Sequence, residues 1–306
     1  MRPDLAGLIL VYRTGSWNLS ERVRVVGILN LTSDSFYDGG RYREPARALS
    51  RAEAMAAEGA DAVDVGAQST RPGAGAPVGV EEEWERLRAV VPDLVRMGLT
   101  VSVDTYRAEV ARRALDAGAA MVNDVTGLTA EPELASHVAR SGAALVLMHA
   151  LGAPDHMHDQ VTYEDAAGSV RSFLERQMRV AVAAGVAEER IALDPGIGFS
   201  KRAAQSLEVL RGLPRLTSLG RPLYIGVSRK SFLAHATGRP VEERLAAGLG
   251  ATIAAVALGA RIVRTHDVRE TVDAVRIAEA VWNPSPLGGG PMPAPVAKAA
   301  SAEART

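Results

Sequence analysis

The feature that most limits what this chain can fold into is an alternation of two kinds of segment, which recurs about eight times. A short run of β-branched and other apolar residues is followed by a polar turn, then by an amphipathic stretch rich in Ala, Arg and Glu. Runs that are apolar almost throughout are typical of parallel strands covered on both faces. Strands that alternate with helices form right-handed βαβ units. Eight such units favour an α/β fold, a closed (β/α)8 TIM barrel, over a doubly wound open sheet in which two strands are misread.

The pattern predicts where each element lies and how the chain is divided. The predicted strands are 25–32, 62–66, 100–105, 121–125, 144–149, 191–195, 222–228 and 261–266. The predicted helices are 45–58, 81–97, 107–117, 131–140, 163–184, 203–211, 242–258 and 268–281. Residues 7–24, with Thr14-Gly15 at their centre, predict a β-hairpin that plugs the barrel bottom. We expect an N-terminal extension over 1–24, the barrel over 25–283, and a disordered tail over 284–306, which is rich in Pro, Gly and Ala.

Composition excludes several classes of function. The 35 basic and 36 acidic residues leave a net charge of −1, so there is no basic excess for nucleic acid. The absence of cysteine excludes disulfides, thiolate metal sites and a cysteine nucleophile. The apolar run at the N-terminus is too short for a signal peptide core or a membrane span. We therefore expect a cytoplasmic protein with small-molecule substrates and with neither nucleic-acid nor membrane partners.

The polar residues at the strand ends are the candidate site. In a barrel of this kind, catalytic side chains lie at the carboxyl ends of the strands and in the loops that follow. Asp64, Asp104, Asn123, Asp194 and Lys230 all occupy such positions and would converge on one small volume. Carboxylates and an amide oxygen accept hydrogen bonds from a planar ring rich in N–H donors, and an ammonium meets a ring carbonyl or ring nitrogen. This set complements the edge of a pterin or a guanine.

A second group comes from the first and last strands, which become neighbours when the barrel closes. Asn30 ends the first strand, and Arg264 and His266 end the last. The guanidinium of Arg264 can grip a phosphate with two parallel hydrogen bonds, and His266 can donate another. The side-chain oxygen of Asn30 is the predicted protein ligand for Mg²⁺. These residues predict a site for a diphosphate and its metal ion.

Several motifs resemble those of one known family, the dihydropteroate synthases, in order over about residues 25–270. The matching segments are GILNLTSDSF at 27–36, DGG at 38–40, STRPG at 69–73, SVDT at 102–105, NDV at 123–125, DPGIGF at 194–199, SRKS at 228–231 and RTHDV at 264–268. The resemblance implies a barrel, usually a homodimer, and a transferase of folate biosynthesis that is a target of sulfonamides. Its reaction joins 6-hydroxymethyl-7,8-dihydropterin diphosphate to p-aminobenzoate, giving 7,8-dihydropteroate and pyrophosphate, with Mg²⁺ as cofactor.

The resemblance also implies a role for each matching residue. The pterin would bind Asp64, Asp104, Asn123, Asp194 and Lys230. The diphosphate would bind Asn30, Arg264 and His266, with Asn30 also on the metal. The p-aminobenzoate site would comprise Phe36, Thr70, Arg71, Pro72, Phe199 and Ser231. Asp38 and Arg71 would pair when the first two loops close. The residues expected to carry the chemistry are Asp104, Lys230, Arg264 and His266.

Two departures fall in the loops: Ser33 stands where the family has Pro, and Gln68 where it has Glu.

Two other functions remain open on the sequence alone. One is a methyltransferase subunit that carries methyltetrahydrofolate, which would need neither the Arg71-Pro72-Gly73 segment nor a diphosphate site. The other is a homologue that binds a pterin without turning it over.

Overall fold

The computed structural model describes residues 6–31, 45–68, 78–152 and 162–282. Two short strands form an antiparallel hairpin, and eight parallel strands close into a barrel in the order β10-β3-β4-β5-β6-β7-β8-β9. The strands are β1 (Ile9–Tyr12), β2 (Gly15–Asn18), β3 (Arg24–Asn30), β4 (Ala62–Gly66), β5 (Val101–Asp104), β6 (Met121–Asp124), β7 (Ala144–Met148), β8 (Ile191–Asp194), β9 (Leu223–Gly226) and β10 (Ala260–Thr265). The predicted (β/α)8 barrel with an N-terminal hairpin is confirmed.

The helices lie between the strands. They are α1 (Pro45–Ala57), α2 (Val80–Arg88), α3 (Val91–Arg96), α4 (Ala108–Asp116), α5 (Leu134–Ser141), α6 (Ala166–Ala183), α7 (Ala203–Arg211), α8 (Leu213–Thr217), α9 (Ser231–Thr237), α10 (Leu245–Ala257) and α11 (Val268–Trp282). The single helix predicted over 81–97 is two helices, because the chain breaks at Val90 and restarts with Pro92 in the first turn of α3. The short helices α8 and α9 were not predicted, because five or seven residues carry too little periodicity. No helix in these described ranges is long and apolar enough to cross a membrane.

Alternate side chains of each barrel strand face opposite sides, as strand geometry requires. On β7, Leu145 and Leu147 pack outward with the helices, whereas Val146 between them faces the barrel interior. Both sets are buried, which explains why the strands read as nearly continuous apolar runs. The lower half of the barrel is therefore filled with apolar side chains, and only the carboxyl ends of the strands are polar inside.

The hairpin closes the amino-terminal end of the barrel, as predicted. Leu10, Trp17 and Leu19 are buried against the inward residues of the lower barrel, including Met121 and Ile262. Burying each of these three side chains stabilises the fold by about 1.5–3 kcal/mol. The plug leaves the opposite end as the open mouth of the barrel.

Glycines end the helices where the sequence predicted left-handed backbone. Gly59, Gly118, Gly142 and Gly259 have φ of +101°, +104°, +70° and +113°. Each turns the chain from a helix into the next strand, in a conformation that residues with a Cβ rarely adopt. These turns fix the point at which each strand enters the barrel, and hence which residue stands at its carboxyl end.

Candidate active site

A group of polar side chains fills the mouth of the barrel, and it is built by strand register. Asp64 on β4 lies beside Ser102 on β5, and Asp104 lies beside Asn123 on β6. Residues at matching register on parallel neighbours face the same way, so all four point inward. On the last pair of consecutive strands, Arg264 on β10 lies beside Gly226 on β9, which has no side chain to obstruct the long guanidinium.

Asp64 is the centre of this group. It is completely buried and accepts hydrogen bonds from the hydroxyl of Ser102 at 2.5 Å, from the amide of Asn123 at 3.1 Å and from Nε of Arg264 at 2.6 Å. Three donors, one of them cationic, compensate the loss of hydration that a buried carboxylate suffers. The amide of Asn123 must turn its NH2 toward the carboxylate, so its oxygen is left buried and without a partner among the described residues.

Arg264 joins Asp64 to Asp104. Its Nη2 donates to Oδ2 of Asp104 at 2.8 Å while its Nε is held by Asp64. Burial raises the pKa of Asp104 to about 7, with Asp64 adding to the rise and Arg264 opposing it. The guanidinium of Arg264, which was predicted to bind the diphosphate together with Asn30 and His266, thus pairs with two of the carboxylates predicted for the pterin.

Asp194 and Lys230 stand on the other side of the mouth. Oδ1 of Asp194 accepts a 2.7 Å hydrogen bond from the backbone of Gly196, which begins the loop after β8. The ammonium of Lys230 donates to the carbonyl of Ile197 in that loop at 2.6 Å and lies 3.9 Å from the ring centre of Phe199. Burial lowers the pKa of Lys230 to about 7, opposed by the charge of Asp194. Lys230, a predicted pterin ligand, therefore lies against Phe199, a predicted member of the p-aminobenzoate site.

The loop after β8 needs glycine at its start. Gly196 has a φ of +65°, and a Cβ at this position would overlap the carbonyl oxygen of His149. Gly198 has a φ of +81° and lies against the Lys230 side chain. The DPGIGF motif is therefore a tight turn that brings backbone carbonyls up to the lysine.

Lys201 and His149 take part in this wall, although sequence reasoning gave neither a role. The ammonium of Lys201 contacts Nδ1 of His149 at 2.8 Å and donates to the carbonyls of Gly196 at 2.9 Å and Phe199 at 3.0 Å. Burial lowers the pKa of Lys201 to about 7 and that of His149 to about 2, so the imidazole is neutral and accepts the hydrogen bond. The rarity of lysine in the sequence could have pointed to Lys201, because the chain has only three lysines and two of them, Lys201 and Lys230, lie in this site.

The remaining predicted residues are distributed as follows. Nδ1 of His266 lies 3.1 Å from the hydroxyl of Ser228, so the ring is tied to the end of β9. The side chain of Asn30 reaches the mouth near Gly66 and makes no hydrogen bond with any described residue. Ser231 is exposed at the first position of α9, next to Lys230. The predicted residues Phe36, Asp38, Thr70, Arg71 and Pro72 lie outside the described residues, as does Ser33.

Comparison with known proteins adds three kinds of similarity. The family model described as pterin binding enzyme matches residues 26–266. A dihydropteroate synthase from Synechocystis is 45% identical over 264 residues, which cover 86% of this chain and 91% of that protein. The structure of the Xanthomonas albilineans dihydropteroate synthase with 4-aminobenzoic acid is 41% identical, covers 87% of this chain and 95% of its own, and superposes with a TM-score of 0.81. A Yersinia pestis dihydropteroate synthase in a sulfonamide complex is 38% identical, covers 90% and 99%, and has a TM-score of 0.85.

Proposed function

The chain belongs to the pterin-binding enzyme family, as one of its dihydropteroate synthases, and from this we propose how its polar rim carries out the reaction. The enzyme joins 6-hydroxymethyl-7,8-dihydropterin diphosphate to p-aminobenzoate and releases pyrophosphate. One observation supports the roles proposed below. Four polar side chains lie at the mouth of one barrel around the buried Asp64, namely Asp104, Asn123, Asp194 and Lys230.

We propose that the pterin ring is bound by groups whose hydrogen-bonding capacity is still open. The free oxygen of Asn123 and the second oxygen of Asp194 accept N–H groups of the ring. Lys230 donates to the ring carbonyl or to a ring nitrogen. Asp64 has three donors of its own, so its role is to hold Arg264 and Asn123 in place rather than to bind the ring directly.

The chemical step follows from the charges at this rim. The carbon–oxygen bond between the pterin methylene and the diphosphate breaks, and pyrophosphate leaves with the electron pair. The cation left behind is delocalised into the dihydropterin, where the Asp104 carboxylate stabilises it in a water-poor environment. The aniline nitrogen of p-aminobenzoate then attacks the methylene carbon and loses a proton. Because Arg264 neutralises Asp104 in the resting enzyme, the carboxylate is held in place before positive charge develops.

We assign the diphosphate and its metal ion to Asn30 and His266, while Arg264, whose Nε and Nη2 donate to Asp64 and Asp104, would contribute positive charge to the diphosphate site. Mg²⁺ keeps several waters and binds through few protein groups plus substrate phosphates, so a single amide oxygen fits it. The side chain of Asn30 has no hydrogen bond with the described residues, which leaves that oxygen available. When bound, the ion would neutralise charge on the departing pyrophosphate. The His266 ring, oriented by Ser228, is placed to donate to a phosphate oxygen.

We assign p-aminobenzoate to the outer part of the pocket. Phe199 offers a ring face beside Lys230, and Ser231 begins the helix that follows it. Phe36, Thr70, Arg71 and Pro72 complete the site, and pairing of Asp38 with Arg71 closes it, as the family resemblance implies. Sulfonamides, one of which is bound in the Yersinia pestis structure, would compete for this position.

We also propose that the enzyme is a homodimer that pairs through α10 and α11. The sequence of α10, LAAGLGATIAAVA, has no charged residue, although part of the helix faces outward. On α11, Ile277 and Val281 are 68% and 71% exposed. An apolar helix surface of this kind is typical of a face that another chain covers.

A cytoplasmic location, and the absence of nucleic-acid and membrane partners, stay predictions from the sequence.

The deciding experiment follows pyrophosphate release from dihydropterin diphosphate with p-aminobenzoate and Mg²⁺. We expect release that requires p-aminobenzoate, is lost in Lys230→Ala and is unchanged in Lys298→Ala, the matched control among the three lysines. Wild-type release no faster than that of Lys230→Ala would refute the transferase. Tight binding of methyltetrahydrofolate without binding of the diphosphate would favour the methyltransferase subunit. Pterin binding without any response to p-aminobenzoate would favour the non-catalytic homologue.

A further inference from the structure

One polar group inside the barrel is not used by the reaction described above. Tyr224 on β9 is 2% exposed, and its hydroxyl has no hydrogen-bond partner among the described residues. A buried hydroxyl without a partner is unfavourable by about 1–3 kcal/mol, and a phenylalanine of nearly the same shape would avoid that. A tyrosine at this position therefore indicates that something outside the protein takes up its hydrogen bond.

The surroundings of Tyr224 show where that partner would be. Its ring lies among the apolar side chains of the lower barrel, such as Met121, Val146 and Ile262. The charges that act on its hydroxyl are those of the mouth above, with Asp64 and Arg264 the strongest. Burial raises the pKa of the phenol well above its ordinary value, so the group stays neutral and can both donate and accept. Tyr224 thus stands at the boundary between the apolar plug and the polar pocket.

The next residue of β9 on the same face as Tyr224 is Gly226, which lies beside Arg264 of β10. Gly226 has no side chain, so no side chain of β9 separates Tyr224 from Arg264 on this face of the strand.

Asn123 supplies a second unpartnered atom in the same group. Its Oδ1 is buried and has no partner in the described part of the chain, while its NH2 donates to Asp64. The Asp64 carboxylate already accepts from Ser102, Asn123 and Arg264, and the Tyr224 hydroxyl is not within hydrogen-bond distance of it. Close to Asp64 there are thus one hydroxyl and one amide oxygen that the described part of the chain leaves unsatisfied.

We propose that Tyr224 is a positioning residue whose hydroxyl hydrogen-bonds the innermost polar edge of the bound pterin and so sets the depth at which the ring lies. This inference rests on the proposed function, because it takes the pterin as the ligand of the pocket. The ring edge would supply the partner that the hydroxyl and the amide oxygen of Asn123 both lack among the described residues.

The test compares Tyr224→Phe with wild type and with Tyr12→Phe. Tyr12 packs against the same apolar cluster but lies in the hairpin, so it is a matched loss of one phenolic oxygen. In Tyr224→Phe we expect the KM for dihydropterin diphosphate to rise about five- to tenfold, the effect of one neutral hydrogen bond. The kcat and the KM for p-aminobenzoate should stay within about twofold of wild type on the same reasoning. Tyr12→Phe should leave all three unchanged.

Calorimetry with oxidised 6-hydroxymethylpterin diphosphate, used as an unreactive probe, separates this proposal from the assignment of the reaction. We expect Tyr224→Phe to weaken binding of the probe by the same factor as the KM, whether or not the wild type turns over. Unchanged probe affinity together with greater resistance to urea would overturn the proposal, because the tyrosine would then be a core residue with an unsatisfied hydroxyl. A fall in kcat at constant KM would overturn it as well. A wild type that binds the probe but releases no pyrophosphate would count against the proposed function alone.

Discussion

The central position of Asp64 leads to the sharpest prediction about stability. Asp64→Asn keeps the shape of the side chain and removes only its charge. The amide oxygen can still accept from Arg264 and Asn123, and the hydroxyl of Ser102 can rotate so that it accepts from the new NH2. The change therefore isolates the neutralisation of a guanidinium whose side chain is 19% exposed.

The size of the effect follows from the contacts that remain. Removing one partner of a buried ion pair destabilises a protein by about 3–5 kcal/mol, because the other charge is left uncompensated. Arg264 keeps Asp104 at 2.8 Å, so we expect the lower end of that range, about 3 kcal/mol. For a chain of this size that corresponds to a fall in Tm of roughly 6–12 °C. Urea unfolding followed by circular dichroism, with the Tm from calorimetry, measures both quantities.

Asp116→Asn is the matched control. That carboxylate also pairs with an arginine, Arg112 at 2.7 Å, but its side chain is 69% exposed. Exposed pairs contribute about 0–1 kcal/mol, so the control should unfold close to wild type. A second readout uses kinetics: Asp64 raises the pKa of Asp104, so Asp64→Asn should move the acid side of the pH profile to lower pH. Equal unfolding midpoints for Asp64→Asn and wild type would show that Asp64 does not stabilise the buried cation.

Three further predictions concern the rest of the site. The reaction requires a charged Asp104 and a protonated Lys230, and both groups have pKa values of about 7 in the free enzyme, so the plot of kcat/KM against pH should be bell-shaped with its maximum near neutrality. Asp104→Asn should flatten the acid side of this plot. A wild-type plot that rises or falls throughout would contradict these assignments. Lys201→Met removes the donor to the carbonyls of Gly196 and Phe199, so the KM for p-aminobenzoate should rise about tenfold, more than the KM for the pterin substrate. Steady-state kinetics with each substrate varied in turn measures both values. Gly196→Ala should lower the free energy of unfolding by at least about 3 kcal/mol, because the new Cβ would overlap the backbone of His149. Gly220→Ala, at a φ of +71° with open space around it, should lower it by only about 1 kcal/mol. Similar urea midpoints for the two variants would refute the steric argument.

Sequence patterns were enough to predict the architecture and to group the polar residues at the barrel mouth. Apolar runs alternating with amphipathic stretches specify parallel strands covered by helices, and glycines such as Gly59 and Gly259 mark where each helix must turn back. Once eight such units close, the carboxyl ends of all the strands meet at one mouth, so Asp64, Asp104 and Lys230 could be grouped without coordinates. This inference needs only the periodicity of each segment and the rule that parallel strands share a direction.

Which of these polar groups bind each other is visible only once the chain is folded. Arg264 pairs with Asp64 and Asp104, which precede it by 200 and 160 residues in the chain. Likewise, Lys201 donates to the loop carbonyls of Gly196 and Phe199, and the hydroxyl of Tyr224 is buried without a partner among the described residues. Hydrogen-bond partners depend on side-chain length, rotamer and strand stagger across the closed barrel, whereas sequence periodicity specifies only which face a residue occupies.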